Sequence, residues 1–361
     1  MTKVFFLLIK IALGHASKLP RPLTDRQWKC LYRVAEEQTL LGVLYPALER
    51  LPQEQRPSKE IIFKWYTCAE MIRESNRRMN KEAVVLAKMI GEELSDNVLM
   101  KGQGIATLYP DSLLRMPGDI DLWVKGERSS IIDYVKREGQ NEQIVYHNIT
   151  FHHFAETPVE IHFTPSWMNN YFHNQRLQHF FDSSFDECSK HRISLPESAG
   201  EISVPTKMFN AIFILQHIFR HLFGDGIGLR QLMDYYYVLQ LGFSEEEVQT
   251  IRKQLKSLGM YKFAGSVMYV MKEVFGLSDE KLLVPIHEKE GVYLLAEIMR
   301  AGNFGKFDSR IVHPENENKL QSFFRINKQV VRHIRHYPSE VCWSPVYRAW
   351  HFCWRKYHGW L

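Results

Sequence analysis

Apolar positions recur at helical spacing through roughly the first 90 residues, shift to short runs near residue 95, and return to helical spacing after residue 204. At the amino terminus Phe5, Leu8, Ile9 and Leu13 form one stripe, which predicts a packing helix. "TDRQWKCLYRVAEEQTLLGVLYPALERL" reads as helix from a Thr24 cap. "SKEIIFKWYTCAEMIRESNRRMNKEAVVLAKMIGEEL" predicts one long or broken helix with Ser58 as its cap, after the linker "LPQEQRP" (51–57).

The middle of the chain alternates. "NVLMKG" is a short strand ending in glycine, and "GIATLYP" is a short helix stopped by Pro110. "DIDLWVKG" is a second strand, and "RSSIIDYVKREG" is a helix ending at Gly139. "EQIVYHNITFHHFAETPVEIHFTP" predicts a pair of antiparallel strands. After residue 204, "PTKMFNAIFILQHIFRHLF" places Pro205 near a first turn, "LRQLMDYYYVLQLG" ends at Gly242, and "SEEEVQTIRKQLKSLG" opens with Ser244 and an acidic first turn. Two more helices are expected around 261–275 and 291–301. The pattern therefore predicts an α+β fold, with helical regions at 1–92 and 191–361 around a compact α+β domain at 93–190.

Composition narrows the function classes. The chain has 361 residues, 45% apolar and 24% charged, as in a soluble globular protein with a buried core. A net charge of +5 is too small to imply nucleic-acid binding and suits an anionic small-molecule substrate. Five scattered cysteines without a CxxC pair argue against a disulfide framework or a zinc site and fit a reducing cytosol. The opening "MTKVFFLLIKIALGHAS" has Lys3 and an apolar stretch, but Lys10 interrupts that stretch and no A-x-A pattern follows, so a signal peptide is not expected. No uninterrupted apolar run approaches the ~20 residues of a membrane span. A cytoplasmic location follows as the expectation.

The chemistry concentrates where acids interrupt strands. Asp119 and Asp121 are i and i+2 and so share one face, while Ile120 and Leu122 take the other. Two carboxylates this close repel unless a proton or a cation intervenes. A divalent cation with hard oxygen ligands, Mg²⁺ or Mn²⁺, resolves the conflict and binds substrate phosphates as well. "TPVEIHFT" adds Glu160, a second acid inside a β-type run, with His162 on the same face.

The combination "LMKGQGIATLYPD…LRMPGDIDLWV" followed by "VEIHF" resembles the nucleotidyltransferase superfamily that includes DNA polymerase β. It is most similar to an uncharacterised bacterial nucleotidyltransferase-like family with an LKG, LRxxGDIDLLV and E-x-H pattern. That family also carries a GxGLRxLxD stretch, which stands here within "HIFRHLFGDGIGLRQLMD" (217–234). The resemblance implies a small mixed-sheet nucleotidyltransferase core. It implies that Asp119, Asp121 and Glu160 are the catalytic carboxylates and hold Mg²⁺ (or Mn²⁺) carrying a nucleoside triphosphate, with ATP the expected donor. Lys101, Gly102, Gln103, Gly104, Arg115 and Gly118 would line the triphosphate, since backbone N–H groups at a helix start cradle phosphate. The superfamily's glycine-serine dipeptide is not present: Gln103 follows Gly102, and Gly104 comes next. The implied reaction moves a nucleoside monophosphate to a hydroxyl of a small-molecule or protein acceptor. The alternatives are a nucleotide-binding regulatory protein with weak turnover and a protein-directed adenylyltransferase of the toxin–antitoxin type.

An acceptor pocket is expected from His217, His221, Arg230 and Asp234. The histidines are i and i+4, but "HIFRH" lacks the glutamate of a zinc peptidase, so imidazole hydrogen bonds within a helical interface are the simpler expectation. Arg230 and Asp234 can form an i,i+4 ion pair; alternatively Arg230 touches an anion, with Asp234 or His221 as general base. The tail from 318 to 361 interleaves Arg and Lys with Tyr, Trp and Phe, a pattern expected to bury its aromatics and expose its cations.

Overall fold

The computed structural model describes residues 1–139, 143–224, 226–308, 310 and 319–360. Glu142 in the first of the two expected middle strands, Asp225 in the glycine-rich turn, and residues 318 and 361 at the ends of the tail lie outside the described residues.

Local chemistry sets the amino-terminal helices. α1 (Thr2–Ala12) buries Phe5, Leu8, Ile9 and Ile11 against α3 and the π-helical segment Met271–Phe275, with Leu13 only partly covered. The stretch from Thr24 divides into α2 (Asp25–Glu37) and α3 (Leu41–Arg50), because Thr39 takes φ 54° between them. Thr24 closes a capping box with Gln27, as a short polar side chain before an amphipathic run should. α4 (Lys59–Glu93) is one continuous helix. Ser58 stands at its N-cap position, but its hydroxyl makes no cap bond.

The middle third holds β1 (Asn97–Met100), α5 (Gly102–Ala106), β2 (Ile120–Val124), α6 (Arg128–Glu138), β3 (Asn148–Thr150) and β4 (Val159–His162). These strands form one sheet in the order β1-β2-β4-β3, with β2 and β4 parallel and the outer pairs antiparallel. The fold is thus α+β with a small mixed sheet. α7 (Tyr171–Lys190) follows, then a separate hairpin of β5 (Arg192–Leu195) and β6 (Gly200–Ser203), which the helical reading of 191 onward did not anticipate.

The rest is helical: α8 (Lys207–Leu222), α9 (Leu229–Gln240), α10 (Glu245–Ser257), α11 (Tyr261–Val270), α12 (Glu288–Ala301), α13 (Lys319–Val331) and α14 (Pro338–Tyr357). Ser244 and Glu247 form a second capping box at α10.

The four-stranded sheet separates two cores. Ile120, Leu122, Val124, Val159 and Ile161 pack on one face with Leu86 and Ile90 of α4 and Ile131 and Val135 of α6. The other face presents Trp123, in contact with Phe181, Phe185 and Phe209, to a larger core shared by amino- and carboxy-terminal helices. Strand alternation therefore sends Asp121, Glu160 and His162 to this second face, beside the helices.

Candidate functional site

Parallel pairing of β2 with β4 makes Asp121 the register partner of Glu160, and Trp123 the partner of His162. Three polar side chains are thus delivered to one patch by two strands. His162 Nε2 lies 2.8 Å from Asp121 Oδ1 and 3.3 Å from Glu160 Oε2. Asp121 and His162 are each only 2% exposed. The amide of Asn148, on the neighbouring β3, donates to Glu160 Oε2.

Burial alone would push protons onto the two acids and off the imidazole. Mutual pairing outweighs it. The Asp121 carboxyl is held below its usual range against burial by Lys101 and His162. Glu160 is likewise lowered against burial by its bond to His162. His162 is raised despite burial because it bonds both carboxylates.

Lys101 reaches this patch from the turn after β1, its Nζ 3.0 Å from Asp121 Oδ2. Its backbone is strained at φ 51°, and Gly102 follows at φ 40°. A non-glycine residue held there costs about 1–3 kcal/mol, offset only by surrounding contacts. Gly102 lines the cavity in front of the carboxylates. Gln103 and Gly104 do not. Gln103 is 2% exposed and donates to Asn76 Oδ1 (3.1 Å) and Asn80 Oδ1 (2.7 Å) of α4, while a Cβ on Gly104 would meet Val204 at 3.0 Å. Both belong to the packing behind the turn.

The facing wall comes from α8 and α9. Asp234 does not pair with Arg230 along the helix. Instead it takes a two-pronged bond from Arg115 (2.7 and 2.8 Å) and the hydroxyl of Tyr109 (2.6 Å). Arg115 is buried with it and held firmly charged, because the carboxylate outweighs burial. Arg230 donates instead to the carbonyls of Met116 and Pro117 at 3.2 and 3.3 Å. Gly118 makes room for it, since a Cβ there would stand 3.3 Å from Arg230 Nη1. Among the described residues no carboxylate forms an ion pair with Arg230. Burial, then the neighbouring Arg115, lowers its pKa.

On α8, His217 and His221 touch with ring centroids 4.4 Å apart. His221 Nε2 meets Nη2 of Arg220, its neighbour on the same helix, at 3.2 Å. His217 Nδ1 has no partner among the described residues, and burial, followed by Lys101 and His221, keeps this imidazole neutral well below its usual range. Arg220 also donates to His147 Nε2 at 2.9 Å.

The tail packs only some of its aromatics: Tyr337 is buried, whereas Phe324, Trp350, Phe352 and Tyr357 stay exposed, against the expectation of a buried aromatic set. Tyr347 of α14 stacks on Trp167 with centroids 4.2 Å apart, and Tyr146 sits edge-on to Trp350 and Trp354. Arg348 and Phe304 complete the cavity wall.

All these walls enclose about 500 Å³, within the usual range of a small-molecule site. Lys101, Gly102, Arg115, Gly118, Asp119, Asp121, Glu160, His217, His221, Arg230 and Asp234 all line it. Among the described residues, the carboxylate of Asp119 makes no hydrogen bond or ion pair.

The donor atoms of Asp121, Glu160 and His162 lie within 4.8 Å of one another. Ligands about 2.1 Å from an octahedral ion stand roughly 3 Å apart along an edge, which the 2.8 and 3.3 Å separations bracket. The residues therefore fit a small divalent ion. His162 is the member that sequence reading did not place in the site. Its signal was the i, i+2 spacing from Glu160, which puts both on one strand face.

No helix among the described residues is long and apolar enough to cross a membrane. A family model described as "Uncharacterised nucleotidyltransferase" matches residues 24–276 of the chain. No curated protein and no solved structure gives a match.

Proposed function

Since the chain belongs to the uncharacterised nucleotidyltransferase family, we propose that it moves a nucleoside monophosphate from a nucleoside triphosphate, with ATP as donor, to a hydroxyl of a small molecule. The acceptor oxygen forms a bond to the α-phosphorus, the bond from that phosphorus to the bridging oxygen breaks, and pyrophosphate leaves. The observation that carries this reading is the Asp121–Glu160 pair on adjacent parallel strands, facing a cavity walled by cations.

Asp121 and Glu160 would hold Mg²⁺ or Mn²⁺, with Asp119 as the remaining open carboxylate. Such an ion, when bound, offsets phosphate charge and polarises the α-phosphoryl group. Lys101 and Arg230 stand where triphosphate oxygens need charge, and the backbone at Gly102 permits close approach. Neutral His217 lines the acceptor side of the cavity. Asp119 is the nearby group free to accept the proton, because Asp234 is occupied by Arg115 and Tyr109. A cavity of about 500 Å³ favours a small acceptor over a protein surface. The five free cysteines suit a cytoplasmic setting.

One observation favours a second reading, nucleotide binding with weak turnover. Gln103 stands where relatives place a phosphate-facing serine, yet its side chain is bonded to α4. The deciding experiment incubates the protein with α-labelled triphosphates, divalent ion and a small-molecule cell extract, beside the Asp121→Ala variant. Transfer that persists in the variant sinks the proposed site. Triphosphate binding without transfer favours the second reading.

A further inference from the structure

We infer that this centre selects a first-row transition-metal ion over Mg²⁺, with the imidazole of His162 as a direct ligand. The inference rests on the metal-site part of the proposal above and not on the transfer reaction. The three side chains whose donor atoms converge are Asp121, Glu160 and His162, so the third donor is nitrogen. Asp119, the carboxylate that would make the set all oxygen, lines the same cavity but is not part of this group.

Mg²⁺ binds hard oxygen, keeps several waters and gains little from imidazole. Ions from Mn²⁺ to Zn²⁺ accept nitrogen beside oxygen, with affinity rising along the series as far as copper. An ion bound between the two carboxylates and Nε2 would take the place of the proton that Nε2 shares with them. His162 Nε2, not Nδ1, faces both carboxylates at edge-like spacing, and the ring is 2% exposed with no room to sample solvent. Nδ1 has no partner among the described residues, so Nε2 is the nitrogen the fold commits to polar contact.

Mn²⁺ is the weakest binder of the series and therefore the strictest probe. Full-length protein is titrated with Mn²⁺ alone and with Mg²⁺ as competitor, and bound Mn²⁺ is read by pulsed EPR for coupling to imidazole nitrogen. The expected result is binding roughly tenfold or more tighter for Mn²⁺ than for Mg²⁺, with nitrogen coupling present. In His162→Gln the coupling disappears and the preference shrinks, because an amide oxygen replaces the nitrogen; circular dichroism checks that the variant folds. Should it not fold, the wild-type spectrum decides alone.

Mn²⁺ bound without nitrogen coupling, equal affinity for Mg²⁺, or no Mn²⁺ binding each overturns the inference. Nitrogen coupling in a protein that transfers no label from any triphosphate leaves it standing and removes the transfer proposal. Label transfer by a protein lacking nitrogen coupling does the reverse.

Discussion

Asp121 and Glu160 sit directly across from each other on parallel strands, and His162 Nε2 bridges them at 2.8 and 3.3 Å. One residue of slip between β2 and β4 would send Glu160 to the opposite, apolar face. Register therefore decides whether the two acids share a face.

Replacing Asp121 with Asn keeps the shape and removes the charge that Lys101 and His162 both engage. Metal-dependent transfer should fall on the order of 10²–10³-fold, as for loss of a group that stabilises developing charge. Label-transfer kinetics with circular dichroism as a folding control check this. Activity within a few-fold of wild type would place the metal elsewhere.

Arg115 and Asp234 form a buried pair with side chains 5% and 7% exposed. Asp234→Ala leaves an uncompensated buried guanidinium and should cost about 3–5 kcal/mol in chemical denaturation. The double variant Arg115→Met/Asp234→Leu should regain most of that loss, since well-packed apolar replacements of buried pairs are often tolerated. Equal loss in both would mean that packing, not charge, dominates.

Gln103 is the residue that tests the turn. Gln103→Ala strands the buried carbonyls of Asn76 and Asn80 and should destabilise the protein by about 1–3 kcal/mol, while triphosphate affinity stays near wild type. Lost affinity at unchanged stability would put Gln103 in the phosphate site after all. Thermal melts and calorimetric titration with a non-hydrolysable triphosphate separate the two.

His333 supplies a pH dependence. It is 1% exposed, and its Nδ1 meets Tyr293 Oη at 2.7 Å while Arg332 Nε donates to Nε2 at 3.1 Å, so the ring is held neutral. Burial, then Arg332, lowers its pKa to about 3. The unfolded chain takes up a proton below about 6.5 that the folded chain refuses until about 3. Unfolding therefore gains protons in that window, and stability falls as pH falls, by at most about 1.4 kcal/mol per pH unit. Denaturation midpoints should drop between pH 7 and 5 in wild type and drop less in His333→Asn. Parallel curves would remove His333 as the cause.

These relationships were unequally legible in the sequence. Asp121 and Glu160 stood out because an acid in an apolar strand is costly, a local signal that needs no partner. Thr24 and Ser244 were readable as caps because capping acts within one helical turn. Arg230 and Asp234 misled for the same reason: four-residue spacing is all that the sequence displays, whereas the true partner, Arg115, is 119 positions away. The direction of Gln103 was equally hidden, because it depends on how α5 docks on α4. The β5–β6 hairpin, with four residues per strand, is too short to impose a clear period between two helices.

The last helix has a consequence of its own. Glu340 at the start of α14 accepts from the backbone N–H groups of Asn169 and Asn170 at 2.8 and 3.3 Å and meets His173 Nδ1 at 3.2 Å. That clamp sits two turns before Arg348, which faces the cavity from outside the residues matched by the family model. A change in α14 can thus reshape one wall while the strands that carry the acids stay untouched. An engineer could exchange that helix to alter which molecules fit, much as one changes a tool bit without replacing the handle.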